Sequence, residues 1–263
     1  MSANHNQPKK RSELLKVLQN RKINKDYYVL EVESPASTAD ILPGQFVEIL
    51  VKDTRNAFLR RPISIYNVNT DRNSFELLIQ IVGEGTQLLS ELKVGDSVDI
   101  MYPLGKTFTL ETKGKKALLV GGGVGVAPLL FLSRKLKDNG VDVHILLGGR
   151  GSDNIIEVDN FENYASIYIS TDDGSKGEKG FVTQHSVMQN MDFDMIYSCG
   201  PDPMMRAVAK LANEQNINCE VSLENMMACG IGACLCCVTE TTSGHQCVCT
   251  DGPVFNTKVL KWN

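Results

Sequence analysis

The sequence predicts a multi-domain chain that joins an antiparallel β-barrel, a parallel-sheet α/β nucleotide fold and a small cysteine-rich C-terminal module. Three observations carry this. Residues 14–110 read as short alternating strands separated by turn formers. A continuous apolar strand then runs into a glycine loop and a helix, and six of the eight cysteines crowd into Cys229–Cys249. A chain of 263 residues is long enough for more than one core. The expected divisions are 1–111, 112–218 and 219–263.

Composition narrows the classes of function. Hydrophobic residues at 42% and charged residues at 22% are ordinary for a globular protein. A net charge of −4 leaves no basic footprint, which argues against a nucleic-acid partner. The longest apolar run, Ala117–Leu132, is too short and too glycine-rich to span a bilayer, so no membrane role is expected. The chain opens on no apolar signal segment and its thiols gather at one end. It reads as a cytoplasmic protein with reduced cysteines, not as a disulfide framework. Met1–Arg11 reads as a loose polar leader.

The barrel is expected from strands at 27–33, 45–51, 64–68, 74–82 and 97–101, at least five in under 100 residues with no convincing long helix. Within it stands Arg60-Arg61-Pro62-Ile63-Ser64. An arginine before a conformationally fixed proline and a hydroxyl-bearing strand suits a phosphate next to a flat ring, although a basic pair at a strand start is also common as a solvated turn. Gly83-Glu84-Gly85-Thr86 follows the strand ending at Val82 and opens a short helical stretch at 87–92. That is the pattern of a helix N-terminus that receives an anion. Together these features suggest a barrel that holds a phosphate-bearing cofactor.

After the linker-like Lys113-Gly114-Lys115-Lys116, the run Ala117–Val120 has the continuous apolar character of a strand buried on both faces. It leads into Gly121-Gly122-Gly123-Val124-Gly125-Val126-Ala127-Pro128, a helix at 128–136 and a second apolar strand at 141–147. This is half of a Rossmann-like fold. The loop departs from G-x-G-x-x-G, because Pro128 stands where the last glycine would be. The second strand ends in Leu147-Gly-Gly-Arg150, with no acid for a ribose 2′-hydroxyl and an arginine that could tolerate a 2′-phosphate. The loop therefore predicts a dinucleotide without choosing NAD or NADP. Strands at 165–171 and 195–199 follow, and each ends in a turn with possible ligand contacts, Thr171-Asp172-Asp173-Gly174-Ser175-Lys176-Gly177 after the first and Cys199-Gly200-Pro201-Asp202-Pro203-Met204 after the second. Cys199 is either a buried strand-end residue or part of the site. A helix at 203–215 closes the fold. The four histidines, His5, His144, His185 and His245, lie in no proton-transfer motif, and His144 is expected to be a packed core residue. No catalytic side chain is expected.

Cys229, Cys234 and Cys237 stand at C-x4-C-x2-C, the spacing that wraps three thiolates around a [2Fe-2S] cluster. Gly230 and Gly232 let the loop bring N–H groups close to sulfur. Four thiolates also suit zinc, but structural zinc sites usually show two C-x2-C knuckles, and here only Cys234 and Cys237 form one. On spacing alone the fourth ligand is either Cys247 or Cys249. A nicotinamide site and an iron-sulfur site in one chain need a cofactor that handles both electron pairs and single electrons, and that cofactor is a flavin.

Arg61-Pro-Ile-Ser64, Gly85-Thr86, Gly121–Pro128 and Cys199-Gly-Pro201 resemble the ferredoxin-NADP reductase superfamily. With Cys229-Gly-Ile-Gly-Ala-Cys234, Cys237 and Val248-Cys249-Thr-Asp-Gly-Pro-Val-Phe255, the chain resembles the electron-transfer subunits of type B dihydroorotate dehydrogenases, over nearly all residues after the first dozen. The resemblance implies FAD, one [2Fe-2S] cluster and NAD+. It also implies an FMN-containing dihydroorotate dehydrogenase catalytic subunit as partner in pyrimidine biosynthesis, in a heterotetramer of two of each. It matches Arg61, Pro62, Ile63, Ser64, Leu78, Ile79, Gln80, Gly85 and Thr86 to FAD contacts. It matches Gly121, Gly122, Gly123, Gly125, Pro128, Cys199, Gly200, Pro201 and Met204 to the nicotinamide nucleotide. The family's fourth ligand precedes x-Asp-Gly-Pro, which selects Cys249 and leaves Cys236 and Cys247 as extra thiols. The alternatives are a flavin and iron-sulfur reductase subunit of another complex, of ferredoxin-NADP transhydrogenase or hydrogenase type, and a zinc-stabilised nucleotide-binding scaffold.

Overall fold

The structure, a computed structural model, describes residues 9–52, 58–111, 115–189 and 192–262. Most of the expected leader and the Lys113-Gly114 part of the expected linker lie outside them.

Six strands close the barrel: β1 (Arg11–Lys22), β2 (Tyr27–Glu33), β3 (Phe46–Ile49), β4 (Arg61–Asn69), β5 (Ser74–Gln80) and β6 (Ser97–Leu104), in the order β1-β2-β5-β4-β3-β6. β1 is the strand that the sequence pattern did not predict. Its Leu14 is exposed while Leu15 and Val17 are buried, and lysines, arginines and glutamate crowd its outer face, which hides the period of two. It pairs antiparallel with both β2 and β6 and so removes the free edges. Leu15, Val17, Leu30, Val47, Ile49, Ile65, Leu77 and Ile100 fill the interior. α1 (Glu84–Ser90) follows β5 directly.

The second body is a seven-stranded sheet in the order β10-β9-β8-β7-β11-β12-β15. β7 (Lys116–Gly122) leads through a short 3-10 turn at Gly123–Val126 into α2 (Ala127–Asp138), then β8 (Asp142–Gly149), β9 (Ser166–Thr171) and the two-residue β10 (Glu178–Lys179). α3 (Ser186–Gln189), β11 (Met195–Cys199), α4 (Asp202–Glu214) and β12 (Asn218–Ser222) complete it. β7 reads as an unbroken apolar run because both faces are covered. Ala117 and Leu119 pack with α2 and the barrel's outer Tyr27, Val29, Tyr66 and Leu78, whereas Leu118 and Val120 pack with α4 residues and the cysteine module.

The division expected between 218 and 219 falls within β12, which pairs parallel with β11 from Met195↔Asn218 onward. β15 (Val254–Asn256) returns from the cysteine region and adds antiparallel to β12. The cysteine module is thus stitched into the sheet at both ends. Between them lies the hairpin β13 (Val238–Thr241) and β14 (Gly244–Cys247), tied to the C-terminal segment by a bridge from Thr241 to Leu260. Among the described residues no helix is long and apolar enough to cross a membrane.

Candidate functional site

Antiparallel register gathers the barrel motifs. Arg61–Ser64 are the first residues of β4 and Leu78–Gln80 the last of β5. Pairing of Ile65 with Leu77 lays the two segments side by side at one end of the barrel, with Gly85-Thr86 just beyond. Of the basic pair, Arg60 is consumed: its Nη2 donates to Asp99 Oδ1 at 2.8 Å and its Nη1 to the carbonyls of Glu48 and Asp99. Arg61 donates only to the Leu59 and Arg60 carbonyls among the bonds seen, and its guanidinium lies against Gly85, where a Cβ would stand 3.0 Å from Nε. Arg61, Pro62, Ile63 and Ser64 are all half-buried, an open platform in an otherwise closed barrel. Leu78 and Ile79 are buried in cores, which leaves their backbone for any ligand. The Thr86 hydroxyl is used by its own turn, accepting from Val82 N at 2.9 Å and donating to Gly83 O.

The glycines after β7 exist for close approach. A Cβ on Gly125 would stand 2.4 Å from the Cys199 carbonyl oxygen and 2.5 Å from Gly200 Cα, and one on Gly122 would meet Met204 Sδ and Pro201. The loop and the turn after β11 therefore touch backbone to backbone, which explains why two motifs 75 residues apart in sequence occur together. Above them opens a cavity of about 800 Å³. Of the residues expected here, Gly122, Gly123, Gly125, Gly200, Pro201 and Met204 line it, as does Gln80 from the FAD set. Gly121 and Pro128 are buried behind that wall, and so is Cys199, whose thiol burial pushes up to about 12. The cavity also takes Arg150, Asp172, Phe181, Val182, Glu224 and Asn225. Arg150 and the Thr171–Gly177 turn that carries Asp172 were legible as strand-end loops; Phe181, Val182, Glu224 and Asn225 carried no motif, and only the rule that ligands sit beyond the carboxyl ends of strands pointed toward them.

In the cysteine module, Gly230 (φ 66°), Gly232 (φ 83°) and Leu235 (φ 55°) turn the chain through left-handed conformations. Burial works against ionisation of Cys229, but the N–H groups of Ile231, Cys234 and Ala233 and the Cys234 thiol gather on its sulfur and hold it down at about 6. Gly232 N donates to Cys249 Sγ at 3.2 Å, and Cys249 N to Cys237 Sγ at 3.4 Å. Burial, followed by the Cys237 thiol, pushes the Cys249 thiol up. The thiols thus fall into two neighbouring pairs, Cys229 with Cys234 and Cys237 with Cys249. Among the described residues no three His, Cys, Asp or Glu side chains close around one point. Two pairs, a sulfur-directed N–H cradle and loop glycines form a donor set that fits a two-iron cluster better than a single zinc ion. Cys236 is exposed, and Cys247 sits at the turn that Asp251 closes by accepting from Cys247 N at 2.9 Å.

The three parts meet. Asn225 lines the cavity and donates to the carbonyls of Cys237 and Val238. Glu48, on β3, is fully buried under Gly230, with a Cβ there 2.8 Å from its Cγ, and neither of its carboxyl oxygens has a hydrogen-bond partner among the described residues. Burial raises its carboxyl to about 7, against the pull of Arg60 and Arg61. His144 is packed, stacked on Tyr168 and hydrogen-bonded to its hydroxyl at 3.2 Å.

Three family descriptions match successive parts of the chain: an oxidoreductase FAD-binding domain over 14–108, an oxidoreductase NAD-binding domain over 119–210, and the iron-sulfur cluster binding domain of dihydroorotate dehydrogenase B over 224–261. A dihydroorotate dehydrogenase B (NAD(+)) electron transfer subunit from Shouchella clausii is 38% identical over 253 residues, covering 94% of this chain and 97% of the relative. The chain belongs to this electron-transfer subunit family. Its Fusobacterium nucleatum member is 40% identical over 247 residues, 91% of this chain and 94% of that one. Among solved structures, that of an NADH-dependent reduced ferredoxin-NADP oxidoreductase matches with a TM-score of 0.85 at 31% identity, over 95% of this chain and 90% of that one. The ferredoxin reductase of a carbazole 1,9a-dioxygenase system shares the fold, with a TM-score of 0.68 at 22% identity over 79% of this chain and 67% of that one. Family membership makes the chain an NAD-linked oxidoreductase subunit with FAD, NAD and iron-sulfur domains, as the sequence motifs implied.

Proposed function

We propose that the chain relays electrons from the FMN of a dihydroorotate-oxidising partner subunit, through a [2Fe-2S] cluster and FAD, to NAD+ in cytoplasmic pyrimidine synthesis, within a heterotetramer of two of each subunit. The observation that carries this reading is a cavity walled by all three regions: Tyr27 and Gln80 of the barrel, the Gly122–Gly125 loop, and Glu224-Asn225 at the root of the cysteine module. A flavin supplies the exchange between hydride pairs and single electrons that nicotinamide and an iron-sulfur cluster both require.

The chain's own residues bind, orient and exclude water. Arg61, left open while Arg60 is held by Asp99, would hold the FAD pyrophosphate. Pro62, Ile63, Ser64 and the β5 backbone at Leu78–Gln80 would bed its ring, and Gly85-Thr86 would admit it closely. Gly121–Pro128 and Cys199–Met204 would hold the nicotinamide nucleotide, with Gly121, Pro128 and Cys199 supporting from behind. Cys229, Cys234, Cys237 and Cys249 would hold the cluster. Deprotonation of dihydroorotate is assigned to the partner subunit, with this chain carrying only the electrons. The barrel, nucleotide sheet and cysteine module are the working divisions of 1–111, 112–218 and 219–263, the last two sharing β12.

Co-purification with the FMN subunit followed by an assay of dihydroorotate-dependent NAD+ reduction tests the reading. Turnover only in the complex is expected, and turnover by this chain alone would contradict it. The structural likeness to the NADH-dependent reduced ferredoxin-NADP oxidoreductase supports a second reading, a subunit of that type of complex. Reduced ferredoxin, not dihydroorotate, would then drive the reaction.

A further inference from the structure

Two features of the chain meet on one edge of the barrel: the Asp251-Gly-Pro-Val-Phe255 ending behind Cys249, and the buried side chain of Glu48. β3 lies between β4 and β6. Its Val47 and Ile49 fill the barrel interior, so Phe46 and Glu48 face outward. Phe46 is paired with Ser64 and Leu104 on the two neighbouring strands, and Glu48 with Pro62 and Met101. The flavin bed proposed at Pro62–Ser64 is therefore one strand spacing, about 4.8 Å, from the backbone of β3.

The cysteine module rests on these outward side chains at two points. Behind Cys229, Gly230 lies on Glu48: a Cβ there would stand 2.8 Å from Glu48 Cγ and 3.1 Å from Leu104 Cδ1. Behind Cys249, the Gly252 carbonyl accepts from Lys106 N at 2.6 Å, just beyond the end of β6. A Cβ on Gly105 would collide with Pro253 Cδ and stand 2.9 Å from Phe46 Cε1. Phe46 shares a core with Cys237, Val248 and Cys249. The turns that carry the first and last thiols are thus seated on β3 and the end of β6. Glu48 is fully buried and neither of its oxygens has a partner among the described residues, so its hold on Gly230 is one of fit, not of hydrogen bonding. None of these contacts lies in the wall of the nucleotide cavity.

We propose that β3 sets the distance between flavin and cluster, with Glu48 and Phe46 as its positioning residues. The strand borders the flavin bed along its backbone and carries the turns behind Cys229 and Cys249 on its side chains. This rests on the flavin and cluster reading given above, and adds to it the part of the chain that holds the two groups apart. Hydride exchange with nicotinamide and electron exchange with the cluster then depend on separate sets of contacts, and the second set can be disturbed alone.

The test uses the flavin- and cluster-loaded chain as wild type, Glu48→Ala, Glu48→Gln and Gly105→Ala. Glu48→Ala opens a gap below Gly230 into which the turn settles, Glu48→Gln keeps the shape of the side chain, and Gly105→Ala pushes Pro253 off its seat at the other end. Stopped-flow absorption separates flavin reduction by NADH from cluster reduction, and electron paramagnetic resonance of the partly reduced chain reads the magnetic interaction between the flavin radical and the reduced cluster. Flavin reduction is expected at the wild-type rate in all three variants. Cluster reduction should be about tenfold slower in Glu48→Ala and in Gly105→Ala, with an altered magnetic interaction, and should stay at wild-type values in Glu48→Gln. Wild-type cluster rates in both Glu48→Ala and Gly105→Ala would overturn the assignment. So would an equal loss in Glu48→Gln, which would make charge rather than fit the cause. Where one variant loses its cluster, the other decides. If NADH reduces the flavin of wild type but never its cluster, the relay reading itself fails, and this inference fails with it.

Discussion

Gly125→Ala tests the contact on which the nucleotide site is built. The added Cβ would lie 2.4 Å from the Cys199 carbonyl oxygen and 2.5 Å from Gly200 Cα. Both are backbone atoms, so no side chain can swing away. Restoring an ordinary contact of 3.4 Å requires the β7 loop and the β11 turn to part by about 1 Å. Overpacking of this kind costs about 1–3 kcal/mol. A misplacement of about 1 Å in a positioned reactant costs on the order of a hundredfold in rate. Stopped-flow reduction of bound flavin by NADH measures the second effect and thermal unfolding the first, with flavin content as the control because the barrel motifs are untouched. The expected result is full flavin loading with roughly hundredfold slower reduction and a lower melting temperature. A variant that matches wild type in both rate and stability would refute the backbone contact.

Three further outcomes follow from the same geometry. Cys249→Ser, which removes the sulfur hydrogen-bonded to Gly232 N and paired with Cys237, should abolish the cluster's visible absorption, whereas Cys247→Ser should retain it; the reverse result would sink the ligand assignment. Glu48, raised from 4.5 to about 7, keeps its proton in the folded chain where the unfolded chain has lost it. Its contribution is thus most favourable below pH 4.5 and is lost as pH rises through about 7. Linkage gives about 2 kcal/mol between about pH 5.5 and about pH 8, roughly 4–8 °C in melting temperature; Glu48→Gln should flatten that slope, and parallel profiles for the two proteins would count against it. Cys199 and Cys219 are both buried with thiols pushed up to about 12, so iodoacetamide should label exposed Cys236 in the native chain and leave these two unmodified until unfolding, as read by mass spectrometry.

Much of the architecture was legible because both faces of β7, β8 and β11 are covered and the hydrophobic pattern is therefore continuous, while β2 and β5 stand between obvious turns. β1 was not legible, since a charged outer face masks its two buried residues. β15 was not legible either, because three residues carry no period and their partner, β12, lies 36 residues earlier in the chain. Motifs located the glycine loop and the cysteines because chemistry imposes spacing on them. Spacing did not separate Arg61 from Arg60, a distinction made by Asp99 on a strand about 40 residues away. Nor did it reveal Phe181 and Glu224, which join the cavity one at a time from separate loops. Glu48 had no signal at all, since in sequence it is one polar residue in an alternating strand.

The central claim is that one chain joins a nicotinamide site to an iron-sulfur site through a flavin. Anaerobic titration of the loaded chain with NADH, followed by visible absorption and electron paramagnetic resonance, tests it most directly. Two electrons for the flavin and one for the cluster predict an end point of about 1.5 NADH per chain, with the resonance of a reduced [2Fe-2S] cluster appearing. An end point at one NADH with the cluster still oxidised, or no bleaching of the flavin, would contradict the account.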